Sequence, residues 1–208
     1  MDNTRKRTIG ALIFPEFETL DLFGPLEMFG TLEDHFEIVL VGETANPLPT
    51  RHGQIVVPDR TVSDEMDYDL ILIPGGRGTP IKTPRPAIDS WLSHQAKVSE
   101  LVLTVCTGSG LVARNGLLDG HRATTNKMAF DWVASFGPKV DWVPKARWVE
   151  DGKFFTSSGV SAGMDMALAV IEKLVGNEAA EQVARITEYT WHRDASQDPF
   201  AKEILGAS

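Results

Sequence analysis

Cysteine is nearly missing from this chain: Cys106 is the single one among 208 residues. That excludes an internal disulfide and fits a reduced, cytoplasmic setting. Basic runs are missing as well. The 20 Lys and Arg are outnumbered by 29 Asp and Glu, for a net charge of -9, so nucleic acid is not an expected partner. No apolar stretch approaches the roughly 18–20 residues of a membrane helix. The opening Met1–Arg7 is polar and charged, with no secretory apolar region, so neither a membrane nor export is expected. The five histidines are scattered, with no His-x-x-x-His pair. That pattern leaves no metal centre to expect, and nothing calls for a cofactor.

What is present is an alternation of short apolar runs and helical segments. Thr8–Phe14, Phe36–Val41, Tyr68–Ile73 and Glu100–Val105 read as buried strands, several ending directly at Pro or Gly. Leu20–Gly30 reads as a strand-to-helix corner, with Pro25 suited to a first helical turn. Thr44–Asp59, with Pro47, Pro49, Gly53 and Pro58, reads as loop around a short extended piece, Gln54–Val57. Helices are expected over Pro86–Gln95, Thr107–Asn115, Lys127–Ser135, Val160–Val175 and Glu178–Ile186. Arg122–Thr125 is a further short strand. Trp142, Trp148 and Phe154–Thr156 fall in extended pieces, with a hairpin turn at Asp151–Gly152. Strand and helix in alternation imply an α/β fold: a mostly parallel central sheet covered on both faces, a three-layer sandwich. No repeat or linker interrupts it, so residues 1–208 are expected to form one domain.

Three features fall where such a sheet places its sites, beyond the carboxyl ends of strands. Cys106 stands in Val105-Cys106-Thr107-Gly108-Ser109-Gly110, where a strand turns sharply into a helix of small residues. A nucleophile elbow needs small neighbours, and a helix N-terminus lowers a thiol's pKa toward the reactive thiolate. The plainer alternative is a buried filler cysteine. Pro74-Gly75-Gly76 follows another strand. Its amides, with that of Thr107, could line an oxyanion-type hole, or the motif could be a plain tight turn. Asp21, inside the apolar Leu20–Pro25 stretch, must be paired or protonated if buried. It could pass a proton to and from the thiol, or simply cap the helix near Pro25. Glu16 is the competing acid, but it is expected at the surface because its neighbours Pro15 and Glu18 look like loop. His121 and His192 lie apart from these motifs, and Asn126 follows Thr124-Thr125. Trp142, Trp148 and Trp191 could wall a pocket, although core or interface positions suit them equally.

Taken in order, Phe14-Pro15-Glu16, Leu20–Pro25, Ile73–Gly76, Val105–Gly108 and Ala123–Thr125 resemble the ThiJ/PfpI superfamily, and within it the isocyanide (isonitrile) hydratase branch. Gly159–Asp165 resembles that branch's Gly-rich segment beside the site, which carries Gly159 and Val160 into the expected substrate contacts. The resemblance implies a flavodoxin-like, class I glutamine amidotransferase-like fold, a homodimer and a small-molecule substrate. It also implies a strained Cys106 partnered by an acid, which lands on Asp21. A His commonly follows the Thr-Thr pair in relatives; here Asn126 stands there, which argues against a Cys-His mechanism. The expected activity is that of a lyase, hydrating an isocyanide to an N-substituted formamide through a thioimidate on Cys106. Asp21 would act as acid and base, and Thr107, Gly75 and Gly76 would orient substrate and water. The alternatives are glyoxalase, deglycase or amidase chemistry on the same cysteine, or a redox sensor without turnover.

Overall fold

A computed structural model describes residues 5–201. In chain order its elements are β1 (Arg7–Ile13), α1 (Thr19–Gly30), β2 (Phe36–Gly42), β3 (Leu48–Pro49), β4 (Ile55–Val56), β5 (Arg60–Thr61) and β6 (Leu70–Ile73). There follow α2 (Pro86–Val98), β7 (Leu101–Val105), α3 (Gly108–Arg114), β8 (Arg122–Ala123), α4 (Phe130–Ala134) and β9 (Asp141–Trp142). The chain continues through β10 (Trp148–Asp151), β11 (Phe154–Ser157), α5 (Ala162–Leu174) and α6 (Asn177–Ile186).

The main sheet runs β10-β11-β7-β6-β1-β2-β5. Every neighbour pair in it is parallel except β10–β11, the hairpin that turns at Gly152. Leu70–Ile73 is wholly buried, as a strand covered on both faces must be. Crossovers between parallel strands are right-handed. The step β1-α1-β2 moves one way along the sheet and β6-α2-β7 the other, so α1 and α2 cover opposite faces. On its face α1 packs against α5, and α5 against α6. The result is the three-layer α/β sandwich that the alternation implies. Because β1 and β6 are neighbours with departing crossovers on opposite faces, the crevice between their carboxyl ends is the topological switch point.

The structure corrects several local expectations. Helix α1 begins at Thr19, so Pro25 is its seventh residue and not part of a first turn. An interior proline forgoes the bond to the carbonyl four residues back; burial of Leu22, Leu26 and Phe29 offsets that cost. Asp21 therefore lies inside the first turn and is not a cap. Thr44–Asp59 carries a small hairpin, β3 with β4, and Arg122–Ala123 pairs with β9 outside the main sheet. Helix α4 is shortened to Phe130–Ala134. Val160 precedes α5 with a positive φ of 42°, a strained conformation for a β-branched residue.

After α6 the chain returns as an extended strap fastened by a buried ion cluster. Asp165, fully buried in α5, accepts Arg147 Nε at 2.7 Å, Tyr189 Oη at 3.1 Å and His192 N–H at 2.8 Å. Arg147 reaches Asp198 Oδ1 at 3.7 Å. Its own N–H donates to the Ala195 carbonyl at 2.8 Å. Removing one member of a buried ion cluster strands the others in a low dielectric. Arg147→Ala is therefore expected to cost about 3–5 kcal/mol in urea unfolding, whereas the exposed Arg193→Ala should stay within about 1 kcal/mol.

Candidate active site

Four neighbouring strands end at one place. Asp21 follows β1, Gly75 and Gly76 follow β6, Cys106 follows β7, and Ser158–Val160 follow β11. Cys106 has a φ of 57°, which a non-glycine residue holds only when its surroundings over-determine it. They do. The Cys106 N–H donates to the Ser157 and Ser158 carbonyls at 3.2 and 3.1 Å. Its own carbonyl accepts the Ser109 hydroxyl at 3.1 Å and the Thr125 hydroxyl at 2.9 Å. The elbow is thus pinned on both sides, and the thiol is buried to 6% exposure.

Asp21 is fully buried. Its Oδ2 accepts the Gly75 N–H at 3.0 Å, while Oδ1 has no hydrogen-bond partner of good geometry among the described residues. The carboxyl lies against the Cys106 thiol, close enough for each to govern the other's ionisation. The Gly76 N–H donates to Thr107 Oγ1 at 3.1 Å, and that hydroxyl pairs with Thr79 Oγ1 at 2.9 Å. Both glycine amides therefore hold the site's own side chains. The donors left at the thiol are the Thr107 N–H and the Asn126 side chain.

A buried acid against a thiol on a strand-to-helix elbow narrows the possibilities, and a sequence profile decides among them: that of the DJ-1/PfpI family matches residues 7–173. The chain belongs to the DJ-1/PfpI family. Isonitrile hydratase of Pseudomonas putida is 36% identical to it over 183 residues, 87% of this chain and 78% of the relative. Glutathione-independent glyoxalase DJR-1.2 of Caenorhabditis elegans is 25% identical over 151 residues, 72% of this chain and 79% of the relative. A ThiJ/PfpI family protein from Pseudomonas syringae superposes with a TM-score of 0.81 at 29% identity, covering 88% of this chain and 75% of that one.

In this DJ-1/PfpI protein the electrostatics run against one expectation. Burial, and then the charge of Asp21, push the Cys106 thiol above its ordinary pKa; the helix N-terminus does not prevail. Burial likewise raises Asp21 to about 7, opposed by the Gly75 amide. Two adjacent anions cannot both be desolvated, so the pair keeps a proton across neutral pH.

Two members of the site lay outside the sequence reading of the motifs. In the sequence Asn126 marks only the place of a missing His, yet its amide comes near enough to the thiol to favour the ionised form. A Cβ at Gly159 would sit 2.3 Å from its Nδ2, so the glycine leaves room for that amide. Glu18, read only as loop in the sequence, is 7% exposed and binds Arg51 at 2.7 Å and His52 at 2.9 Å. Burial raises its pKa, but these two partners outweigh that and hold it below the usual value, so its charge adds to the upward push on Asp21. Glu16 is exposed, as expected. His192 is engaged by Asp165 and Gln197 and His121 by Asp151. Trp142 and Trp148 pack into the core, and Trp191 bonds the Asp165 carbonyl.

The raised Asp21 sets a sign. Its folded pKa of about 7 exceeds the ordinary aspartate value of 3.8, so the folded state holds this proton longer. The associated stability is present at low pH and lost as pH rises from about 4 through about 7. Asp21→Asn should flatten that fall, measured by urea unfolding across this window. The same change removes a negative charge from beside the thiol. Alkylation of Cys106 by iodoacetamide near pH 8.5 should then run several-fold faster than in wild type; an equal rate would show that Asp21 does not govern the thiol.

Proposed function

We propose that this protein hydrates isocyanides, R–NC, to N-substituted formamides, with Cys106 as nucleophile and Asp21 as the proton carrier. The buried Asp21–Cys106 pair carries this reading, and the identity to isonitrile hydratase supports it. Attack begins with sulfur bonding to the terminal isocyanide carbon while the thiol proton passes to Asp21. Asp21 returns that proton to the same carbon, leaving a thioimidate, R–N=CH–S–Cys. Water then adds to the thioimidate carbon, giving one proton to Asp21, which delivers it to nitrogen. The C–S bond breaks as the remaining hydroxyl proton returns to sulfur, and the formamide leaves. An acid near pKa 7 suits this two-way traffic, because it gives and accepts at comparable cost. The Thr107 N–H and the Asn126 amide orient the reacting groups. Gly75 and Gly76 act through the side chains they hold, and Gly159 and Val160 border the substrate.

A homodimer belongs to the same proposal. Leu20 and Phe23 of α1 and Ile55 and Val57 of the neighbouring hairpin are exposed large apolar side chains. A hydrogen bond from Thr19 to Gln54 at 3.3 Å joins the two segments, making one patch of the kind that marks an interface.

Purified protein is expected to turn over cyclohexyl isocyanide, with Cys106→Ala inactive. Asp21→Asn should fall by about 10²–10⁴-fold in kcat, the usual worth of a positioned proton carrier. Activity retained in Cys106→Ala sinks the mechanism. Turnover of methylglyoxal but not isocyanides would favour the glyoxalase chemistry named for the relative from Caenorhabditis elegans. Light scattering should report a dimer that Phe23→Asp dissociates.

A further inference from the structure

A cavity of about 270 Å³ lies one residue layer from Cys106, behind Asn126 and Ser158, and its lining has a consistent chemistry. Asn126 and Ser158 form the side toward Cys106: the Ser158 carbonyl accepts the Cys106 N–H at 3.1 Å, and the Asn126 amide is near enough to favour the ionised thiol. The far side is apolar, formed by Val160, Met128 and Phe200. Met128 is 93% exposed and Phe200 56%, so both have surface to bury against a ligand. Lys127 also borders the cavity, but its amine is spent on the Thr124 hydroxyl at 2.8 Å and the Ala146 carbonyl at 2.5 Å. The volume lies below the roughly 300–1,000 Å³ of drug-sized pockets, which suits one ring or a branched alkyl group.

Phe200 is not a loose end of the strap. Asp198, 4% exposed, accepts the Phe200 N–H at 3.0 Å through Oδ1. The Asp198 N–H in turn donates to the Lys145 carbonyl at 2.7 Å. The same Oδ1 faces Arg147, and Arg147 Nη2 reaches Ser161 Oγ on the cavity wall at 3.3 Å. The buried ion cluster thus ties the apolar mouth to the wall that carries Val160.

We propose that Phe200 and Met128 form the subsite for the substituent on the substrate, selecting a bulky, uncharged, apolar group such as cyclohexyl over methyl, with Asp198 as the positioning residue for Phe200. This rests on the isocyanide reading for the reacting group, but the subsite can be tested without it. Cys106 is the only thiol, so alkylation of the full chain by N-cyclohexylmaleimide and N-methylmaleimide, followed by intact mass, compares the two substituents directly. Wild type should favour the cyclohexyl reagent. Phe200→Ala and Met128→Ala should each cut that rate ratio by about tenfold, the loss expected for one buried apolar side chain. Both side chains are exposed, so neither variant should unfold. Asp198→Ala should lower the ratio and Asp198→Asn, which keeps an acceptor for the Phe200 N–H, should restore it. A ratio unchanged in both apolar variants overturns the subsite. Parallel kcat/KM values for cyclohexyl and methyl isocyanide should follow the same ratio. If wild type turns over neither isocyanide while the maleimide ratio still depends on Phe200, the subsite stands and the hydratase reading fails.

Discussion

Three turns converge on Gly75, and none could close if that residue carried a side chain. A Cβ there would lie 2.6 Å from the Thr107 nitrogen, 2.6 Å from its hydroxyl and 2.9 Å from Asp21 Oδ2, all inside van der Waals contact. The bare backbone lets the turn after β6 slip between the elbow after β7 and the helix after β1. Its N–H then fixes the Asp21 carboxyl at 3.0 Å. Asp21 in turn adds to the upward push that burial gives the Cys106 thiol. The chemistry of the site therefore hangs on a packing constraint in the neighbouring strand.

Much of this was legible in the sequence because it is local. The run Leu70–Ile73 ending at Pro74-Gly75-Gly76, and Leu101–Val105 ending at Cys106, announce buried strands feeding tight turns, and the structure places both there. Asp21 was legible as an acid in an apolar stretch, since such a residue must find a partner. What escaped was set by tertiary contact. Glu18 looks like loop until the hairpin brings Arg51 and His52 to it. Asn126 becomes a thiol partner only because β8 leaves the main sheet and returns its following turn to the elbow. Pro25 misled because its propensity is a local preference, while burial of the helix face is a global one.

The thiol's direction of shift shows which of two opposing effects wins. The amide at the start of α3 favours a thiolate, but α3 has 7 residues, and the dipole effect is commonly worth about 0.3–1 kcal/mol. Near-complete burial and an adjacent carboxylate outweigh that. The fold also separates its buried charges by purpose. Arg147, Asp165 and Asp198 are cross-paired and hold the strap. Among the described residues Asp21 has a single amide donor and an oxygen without a hydrogen-bond partner, the condition in which a carboxyl changes its proton with least rearrangement.

A thiol held protonated at rest is consistent with nucleophilic catalysis when its base is in contact. The cost of forming a thiolate beside an ionised Asp21 vanishes if the proton moves onto Asp21 itself, because the pair's charge stays at minus one throughout. Only its location changes, from carboxylate to sulfur. A preformed thiolate would be open to alkylation and oxidation by any electrophile that entered. In the proposed mechanism, a thiol activated through Asp21 is nucleophilic mainly when a substrate is seated to receive both the sulfur and the returning proton. Isocyanide carbon accepts both at one atom. A thiol paired with one buried acid is matched to that demand in the proposed reaction, because Asp21 alone can carry the proton until the thioimidate forms.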